Sequence, residues 1–342
     1  MSLIDTGMPL KMEEIVALSV KHYVSDLHLC TREPARWRRL GRLEPVPGGA
    51  PEPEGLLHAW LSPVQKTQFD SCGQLDFAVT LKDGRRLRAN AFRRHGGISL
   101  ALRLLPDCVP QLERLDAPTP VAALLESCGG LMLVAGATGS GKSTTLAAMV
   151  DFINRRHARH ILTLEDPIEF IHHSRNSLVQ QREAGSHCAS FSAGLRAALR
   201  EDPDVILLGE LRDEETIRLA LTAAETGHLV LATLHTRGAP QAVERLLDGF
   251  PAGEQNRVRS QLAGSLRAVL AQKLVAARDG GRVALYELMI NTPAAANLIR
   301  EGKLHQLPGI MQTGQQSGMQ TFLQSLEQRR RQGWVSEAAG SA

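Results

Sequence analysis

The sequence predicts two domains, a small α+β domain followed by an α/β domain built on a parallel sheet. Three observations predict this. A length of 342 residues suits two domains at roughly 100–200 residues each. The first hundred or so residues alternate apolar and polar positions in short runs set among helical segments. The rest carries short, fully apolar runs, each followed by a helix-like segment, which is the pattern of parallel strands covered on both faces.

Taken in order, Glu13 to Val20 has helical spacing, and Val24 to Leu29 alternates as a half-buried strand. Trp37 to Val46 is basic and strand-like, and Pro45 to Pro53 is a Pro/Gly-rich loop. Leu56 to Phe69 is expected as a single helix. Leu75 to Leu81 alternates again, Asp83-Gly84 signals a hairpin turn, and Arg86 to Phe92 and Ile98 to Leu104 are the next strands. Pro106, Pro110, Pro118 and Pro120 mark a linker, because proline stops both helix and sheet. The expected organisation is therefore 1–105, a linker at 106–120, and 121–342. In the last part the apolar strands are Leu131 to Ala135, Ile161 to Leu164, Val205 to Leu208 and Leu229 to Leu234. From Arg329 on, the chain is expected to be polar and frayed.

Composition narrows the function classes. A hydrophobic content of 43% supplies an ordinary core in each domain. A net charge of +3 lacks the basic footprint of a dedicated nucleic-acid binder, and 4% aromatic residues leave little for base stacking. Cys30, Cys72, Cys108, Cys128 and Cys188 are scattered, odd in number and contain no Cys-x-x-Cys pair. That spacing argues against a disulfide framework or a zinc site and fits a reducing cytoplasm. The opening Met1 to Asp5 has no signal-peptide pattern, and Met12 is a candidate alternative start. No apolar run approaches the ~20 residues that span a bilayer, so any membrane role is expected to run through a partner.

The strongest motif is Gly136-Ala137-Thr138-Gly139-Ser140-Gly141-Lys142-Ser143, which matches G-x-x-x-x-G-K-[ST] between a buried strand and a helix opening at Thr144. Glycines let backbone N–H groups wrap phosphates, and the helix N-terminus adds partial positive charge. Lys142 is expected on the β- and γ-phosphates of ATP, and Ser143 on Mg²⁺. Two acidic clusters follow at strand ends, the edge where ligands bind in open α/β sheets. One runs from Thr163 to Glu169 and includes Glu165, and the other runs from Asp204 to Glu210. Glu210 follows four apolar residues and a glycine, the form of a Walker B strand, where a carboxylate can orient or deprotonate water. Gly209 stands where many such enzymes hold Mg²⁺ with Asp, which leaves direct ligation to Ser143 and water.

At this point the residues resemble a family. Thr222 to Thr236 looks like the His box of secretion ATPases, and Glu165 to Phe170 like their Asp box. Ala198 to Asp204 leads into the Walker B strand as in that family, and Val24 to Leu29 resembles its N-terminal signature. The resemblance covers about Met12 to Gly333 and points to the PilT-like retraction ATPases of type IV pili, and within them to YggR-type proteins. It implies a PAS-like N-terminal domain joined to a RecA-like ATPase domain, six subunits in a ring, and an inner-membrane platform protein as partner. It also implies that Arg88 and Arg103 reach the nucleotide, and that Glu169, His228 and His235 surround the γ-phosphate. The family's C-terminal signature departs at one position, with Ala296 where an arginine is usual. That departure puts retraction in question and leaves ATP hydrolysis untouched. Two other functions are weighed beside it: a nucleic-acid-dependent RecA-like ATPase, and an ATP-switched regulatory protein of the same family.

Overall fold

A computed structural model describes residues 10–39, 41–106, 108–127 and 129–336. The opening Met1 to Asp5 and Cys128 lie outside the described residues. The chain divides into two compact units. The first runs through Cys108 and takes in Pro167–Phe170, and the second holds Val109–Asp166 and Ile171 onward.

In the first unit, helix α1 (Met12–Lys21) leads into strands β1 (Val24–Cys30), β2 (Glu33–Arg39) and β3 (Arg42–Pro45). The basic stretch read as one strand is therefore two, joined by a turn in which Gly41 takes φ +82°. The single helix expected over Leu56 to Phe69 is likewise two, α2 (Pro53–Trp60) and α3 (Pro63–Cys72). Pro63 disfavours helical backbone in the residue before it, and Ser62 is extended at ψ 162°. The Ser62 hydroxyl accepts from the Gln65 N–H at 3.3 Å, and the Ser62 N–H donates to Gln65 Oε1 at 3.0 Å, a capping box that opens α3. Strands β4 (Gln74–Thr80), β5 (Arg86–Arg94) and β6 (Gly97–Leu104) complete a six-stranded sheet of order β3-β2-β1-β6-β5-β4. Each of its pairings is antiparallel. Leu27, Leu87, Ala89, Ala91 and Leu102 fill its core, while the residues alternating with them on β5 face outward.

The second unit opens with a 3-10 turn at Leu112–Leu115 and helix α4 (Pro120–Glu126). Pro120 sits at the start of α4, where a missing N–H costs nothing, so it begins a helix inside the stretch read as linker. Then come β7 (Gly130–Ala135), α5 (Lys142–Arg156), β8 (His160–Glu165), β9 (Leu178–Glu183), α6 (Phe191–Ala198), β10 (Val205–Leu208), α7 (Glu214–Glu225), β11 (Leu229–Leu234), α8 (Ala239–Asp248) and α9 (Gln255–Ser265). The chain ends with β12 (Leu266–Ala276), β13 (Arg282–Ile290), α10 (Pro293–Glu301), α11 (Leu307–Thr313) and α12 (Phe322–Arg331). The seven strands lie in the order β13-β12-β7-β11-β10-β8-β9.

This sheet is mixed, not wholly parallel. β13 pairs antiparallel with β12 because the short turn around Gly280 joins them as a hairpin, and a parallel return needs a long crossover. The apolar runs split by period two between its faces. Leu131, Leu133, Ile206, Leu208, Val230 and Ala232 pack with α6 to α11 on one side. Met132, Val134, Val205, Leu207, Leu229 and Leu231 pack with α4 and α5 on the other. Each such Leu or Val contributes roughly 1.5–3 kcal/mol when fully buried, so register at the centre of the sheet is firmly held.

The C-terminal stretch is not frayed at Arg329. That side chain is 4% exposed, donates to the Asp116 carbonyl at 2.7 Å and lies 4.9 Å over the Trp334 ring.

Candidate active site

The parallel pairing brings four strand ends level. Ala135 of β7 lies beside Leu234 of β11, Ala232 beside Leu208 of β10, and Leu208 beside Leu164 of β8. Gly136, His235, Gly209-Glu210 and Glu165 therefore emerge together at the carboxyl edge of the sheet. Main-chain bonds fasten the emerging loops to one another. Gly136 N–H donates to Leu234 O at 3.2 Å, Gly209 N–H to Leu164 O at 2.8 Å, and Leu211 N–H to Thr233 O at 3.0 Å. The Thr233 hydroxyl adds a 2.5 Å bond to Gly209 O.

The Gly136–Ser143 loop wraps into the N-terminus of α5. Ala137, Thr138 and Gly139 are exposed at its tip, while Gly136, Ser140 and Lys142 are buried. Gly139 and Gly141 take φ +78° and +93°, which only glycine adopts without cost. Ser140 Oγ is buried with no protein partner, a polar atom left over inside the loop. Ser143 is exposed on the first turn of α5, with Thr144 half-buried beside it.

Lys142 and Glu210 are joined through one histidine. Lys142 Nζ donates to Gly136 O at 2.8 Å and Ala137 O at 3.1 Å, and lies 3.5 Å from His235 Nδ1. His235 Nε2 is 3.2 Å from Glu210 Oε2. An ammonium only donates, so the contact with Lys142 makes Nδ1 the acceptor, and Nε2–H then donates to the carboxylate. Arg212 pairs with the other Glu210 oxygen. Burial pushes the Glu210 carboxyl up, but the hydrogen bonds from Arg212 and His235 and the Arg212 charge outweigh it and hold the group below its ordinary value. Glu210 is thus an ionised carboxylate at neutral pH.

Glu165 stands at the same edge with its Oε1 bonded to the Thr163 hydroxyl at 2.7 Å and to Gln181 Nε2 at 3.0 Å. Asp166 lies close enough to influence Arg212.

Three of the expected residues lie in the first unit. Arg88 and Arg103 are directly opposed on β5 and β6, so both side chains stand on the outward face. Arg88 is 3.7 Å from Glu169 Oε1, Arg86 donates to the Glu169 carbonyl at 3.2 Å, and Arg103 pairs with Asp26 at 2.8 Å. His228 differs from expectation. It precedes β11 at the amino edge, bonded to Ala223 O at 3.0 Å and near the Thr226 hydroxyl at 3.1 Å. Seven residue steps at about 3.3 Å each put it roughly 23 Å from His235, so within one chain it is not beside the phosphate loop.

Two functional-site residues carry little sequence signal. Arg212, two positions after Glu210, belongs to no motif. Gln272 sits in β12 beneath the loop, and its signal is a polar residue that stays buried directly after the apolar run Ala268-Val269-Leu270-Ala271.

A phosphate-wrapping loop at a helix N-terminus, with its lysine tied to a strand-end carboxylate on a RecA-like sheet, defines a P-loop ATPase. The chain matches the model of the Type II/IV secretion system protein family over residues 72–339 and belongs to that family. It is 67% identical over 320 residues to the Escherichia coli (strain K12) protein YggR, covering 94% of this chain and 98% of that one. It is 46% identical over 312 residues to the type IV pilus retraction ATPase PilT of Pseudomonas aeruginosa, covering 90% and 91%. The crystal structure of the pilus retraction motor PilT with bound ADP superposes with a TM-score of 0.87 at 42% identity, covering 96% of this chain and 95% of that one.

Proposed function

We propose that this chain is an ATP-hydrolysing motor of a type IV pilus or type II secretion-like machine. It works as a homo-hexamer on an inner-membrane platform protein, and its task is pilus retraction. The observation that carries the reading is the Lys142–His235–Glu210 connection at the mouth of the phosphate loop. No helix among the described residues is long and apolar enough to cross a membrane.

The residues divide the work. The exposed N–H groups of the loop and the α5 N-terminus receive the phosphates. Lys142 exchanges its contacts with Gly136 O and Ala137 O for phosphate oxygens. Glu210, already ionised, orients the attacking water and accepts its proton. His235, touching both Lys142 and Glu210, changes partners as the terminal phosphate comes and goes, and so reports hydrolysis to the rest of the chain. Glu165 supports the same edge. Arg88 and Arg103 neutralise charge that builds on the transferred phosphoryl group, and Glu169 holds Arg88 ready. The exposed Ser143 hydroxyl fits a Mg²⁺ ligand, and when bound the ion neutralises charge on the phosphate oxygens. Gly209 offers no carboxylate to help it.

The test pairs turnover with capture. Purified Lys142→Ala should lose hydrolysis, and Glu210→Gln should bind ATP without turning it over. Normal turnover in either variant would sink the site. Tagged Glu210→Gln, incubated with membranes, ATP and Mg²⁺, should recover a polytopic inner-membrane protein. Hydrolysis stimulated by single-stranded DNA, with steep salt dependence, would instead make it a nucleic-acid motor.

A further inference from the structure

We propose that Gln272 is a positioning residue for the phosphate loop, acting as a strut between Ser140 and Thr145. The inference rests on the loop being a nucleotide site.

Gln272 ends a fully buried run. Ala268 to Ala271 are 0% exposed and Gln272 is 2% exposed. Pairing of β12 with β7 sets Ala271 beside Ala135, so Gln272 stands level with Gly136, where β7 leaves the sheet. Both ends of its amide are used. Nε2 donates to Ser140 O at 2.6 Å, and Oε1 accepts from the Thr145 hydroxyl at 2.8 Å. Ser140 lies in the loop, and Thr145 lies on the first turn of α5. The Gln272 main chain closes on the loop as well, since a Cβ on Gly136 would lie 2.5 Å from Gln272 O. Across the hairpin Gln272 is paired with Tyr286, whose hydroxyl donates to Leu115 O at 3.0 Å, so the strut stands on an anchored floor.

The consequence for phosphate follows from peptide geometry. In a planar trans peptide the carbonyl and the next N–H point in opposite directions. Drawing Ser140 C=O down onto Gln272 therefore aims Gly141 N–H away from the sheet, on the side where a phosphate-binding nest opens. The bond to Thr145 keeps the amide from rotating, and it ties the loop's orientation to the helix whose N-terminus the phosphates approach.

The experiment measures binding of a fluorescent ADP analogue to the full chain, with thermal unfolding followed in parallel. Gln272→Met keeps length and bulk but removes both bonds. Gln272→Glu keeps an acceptor for Thr145 but turns an oxygen toward Ser140 O. Both should weaken ADP binding by roughly tenfold or more, Glu the more, because a buried partner is left unsatisfied or opposed. kcat at saturating ATP should fall far less than affinity, since neither Glu210 nor His235 is touched. Thr145→Val loosens the strut from its other end and should weaken binding by a smaller factor, which keeps the test open if a Gln272 variant does not fold. A folded Met variant, or Thr145→Val, binding ADP as the unmodified chain does would overturn the inference, and a lower Tm with unchanged affinity would reduce Gln272 to a core residue. Failure of the unmodified chain to bind ADP would instead remove the nucleotide reading and this inference with it.

Discussion

His235 Nε2 lies 3.2 Å from Glu210 Oε2, while its other ring nitrogen lies 3.5 Å from Lys142 Nζ. One imidazole thus touches both Lys142 of the Gly136–Ser143 loop and the Glu210 carboxylate at the end of β10. Removing it leaves Lys142 with its two loop carbonyls and Glu210 with Arg212, so nucleotide should still bind. His235→Ala is expected to lower kcat by roughly ten- to a hundredfold, with a much smaller change in nucleotide affinity. Steady-state kinetics beside direct binding would check this. An equal loss in both would mean that His235 only shapes the pocket.

Gly136 is required by space. An added Cβ would meet Gln272 O at 2.5 Å, a backbone atom held in the sheet, and Ser140 Oγ at 2.4 Å. The unbonded Ser140 hydroxyl can turn aside, but the Gln272 backbone cannot shift without disturbing its pairing in the sheet. Gly136→Ala should cost about 1–3 kcal/mol of stability as overpacking and weaken nucleotide binding. Denaturant titration and ADP titration together would show whether both losses occur.

The same position shows what was legible in advance. The loop declared itself because its chemistry is backbone chemistry, and only glycines at set intervals permit it. The central strands were legible because both faces are buried, so Leu131 to Ala135 and Leu229 to Leu234 carry no polar residue except Thr233. The split between α2 and α3 was visible in Ser62-Pro63, but the apolar spacing across it masked the break. The β12–β13 hairpin was harder, because only tertiary pairing with β7 makes β12 part of the sheet. Contacts made by a side chain over long sequence separation were out of reach. Gln272 meets Ser140 across 132 positions, and nothing local to either residue announces it. His228 and His235 share one box in the sequence, yet a strand separates them in space.

His172 gives a pH dependence of stability. Burial lowers its pKa from 6.5 to about 4, with Asp151 opposing the shift and His173 adding to it. The unfolded chain therefore takes up this proton first as pH falls. The contribution is complete above pH 6.5 and is lost progressively from there down through about pH 4. Glu287, raised by burial, contributes with the opposite sign, so the informative quantity is a difference. Urea unfolding at pH 7 and pH 5 should show a smaller drop for His172→Gln than for the unmodified chain. Parallel drops would mean that the folded chain protonates His172 as readily as the unfolded one.

Arg88 allows a structural and a catalytic role to be told apart. Its side chain is 40% exposed, and that of Glu169, 3.7 Å away, is 30% exposed. A pair this wet is worth about 0–1 kcal/mol, because solvent screens it and ordering two side chains costs entropy. Arg88→Ala should therefore leave the unfolding midpoint nearly unchanged. If the guanidinium serves the transferred phosphoryl group, the same variant should lose hydrolysis by roughly three orders of magnitude or more. Arg88→Lys should recover little of it, because a point charge replaces a planar fork. Glu169→Gln removes the partner's charge but leaves Arg88 in place, so it should lose less than Arg88→Ala. Near-normal turnover in Arg88→Ala, with unchanged stability, would return Arg88 to the solvated face of β5 and leave Arg103 as the remaining arginine to test.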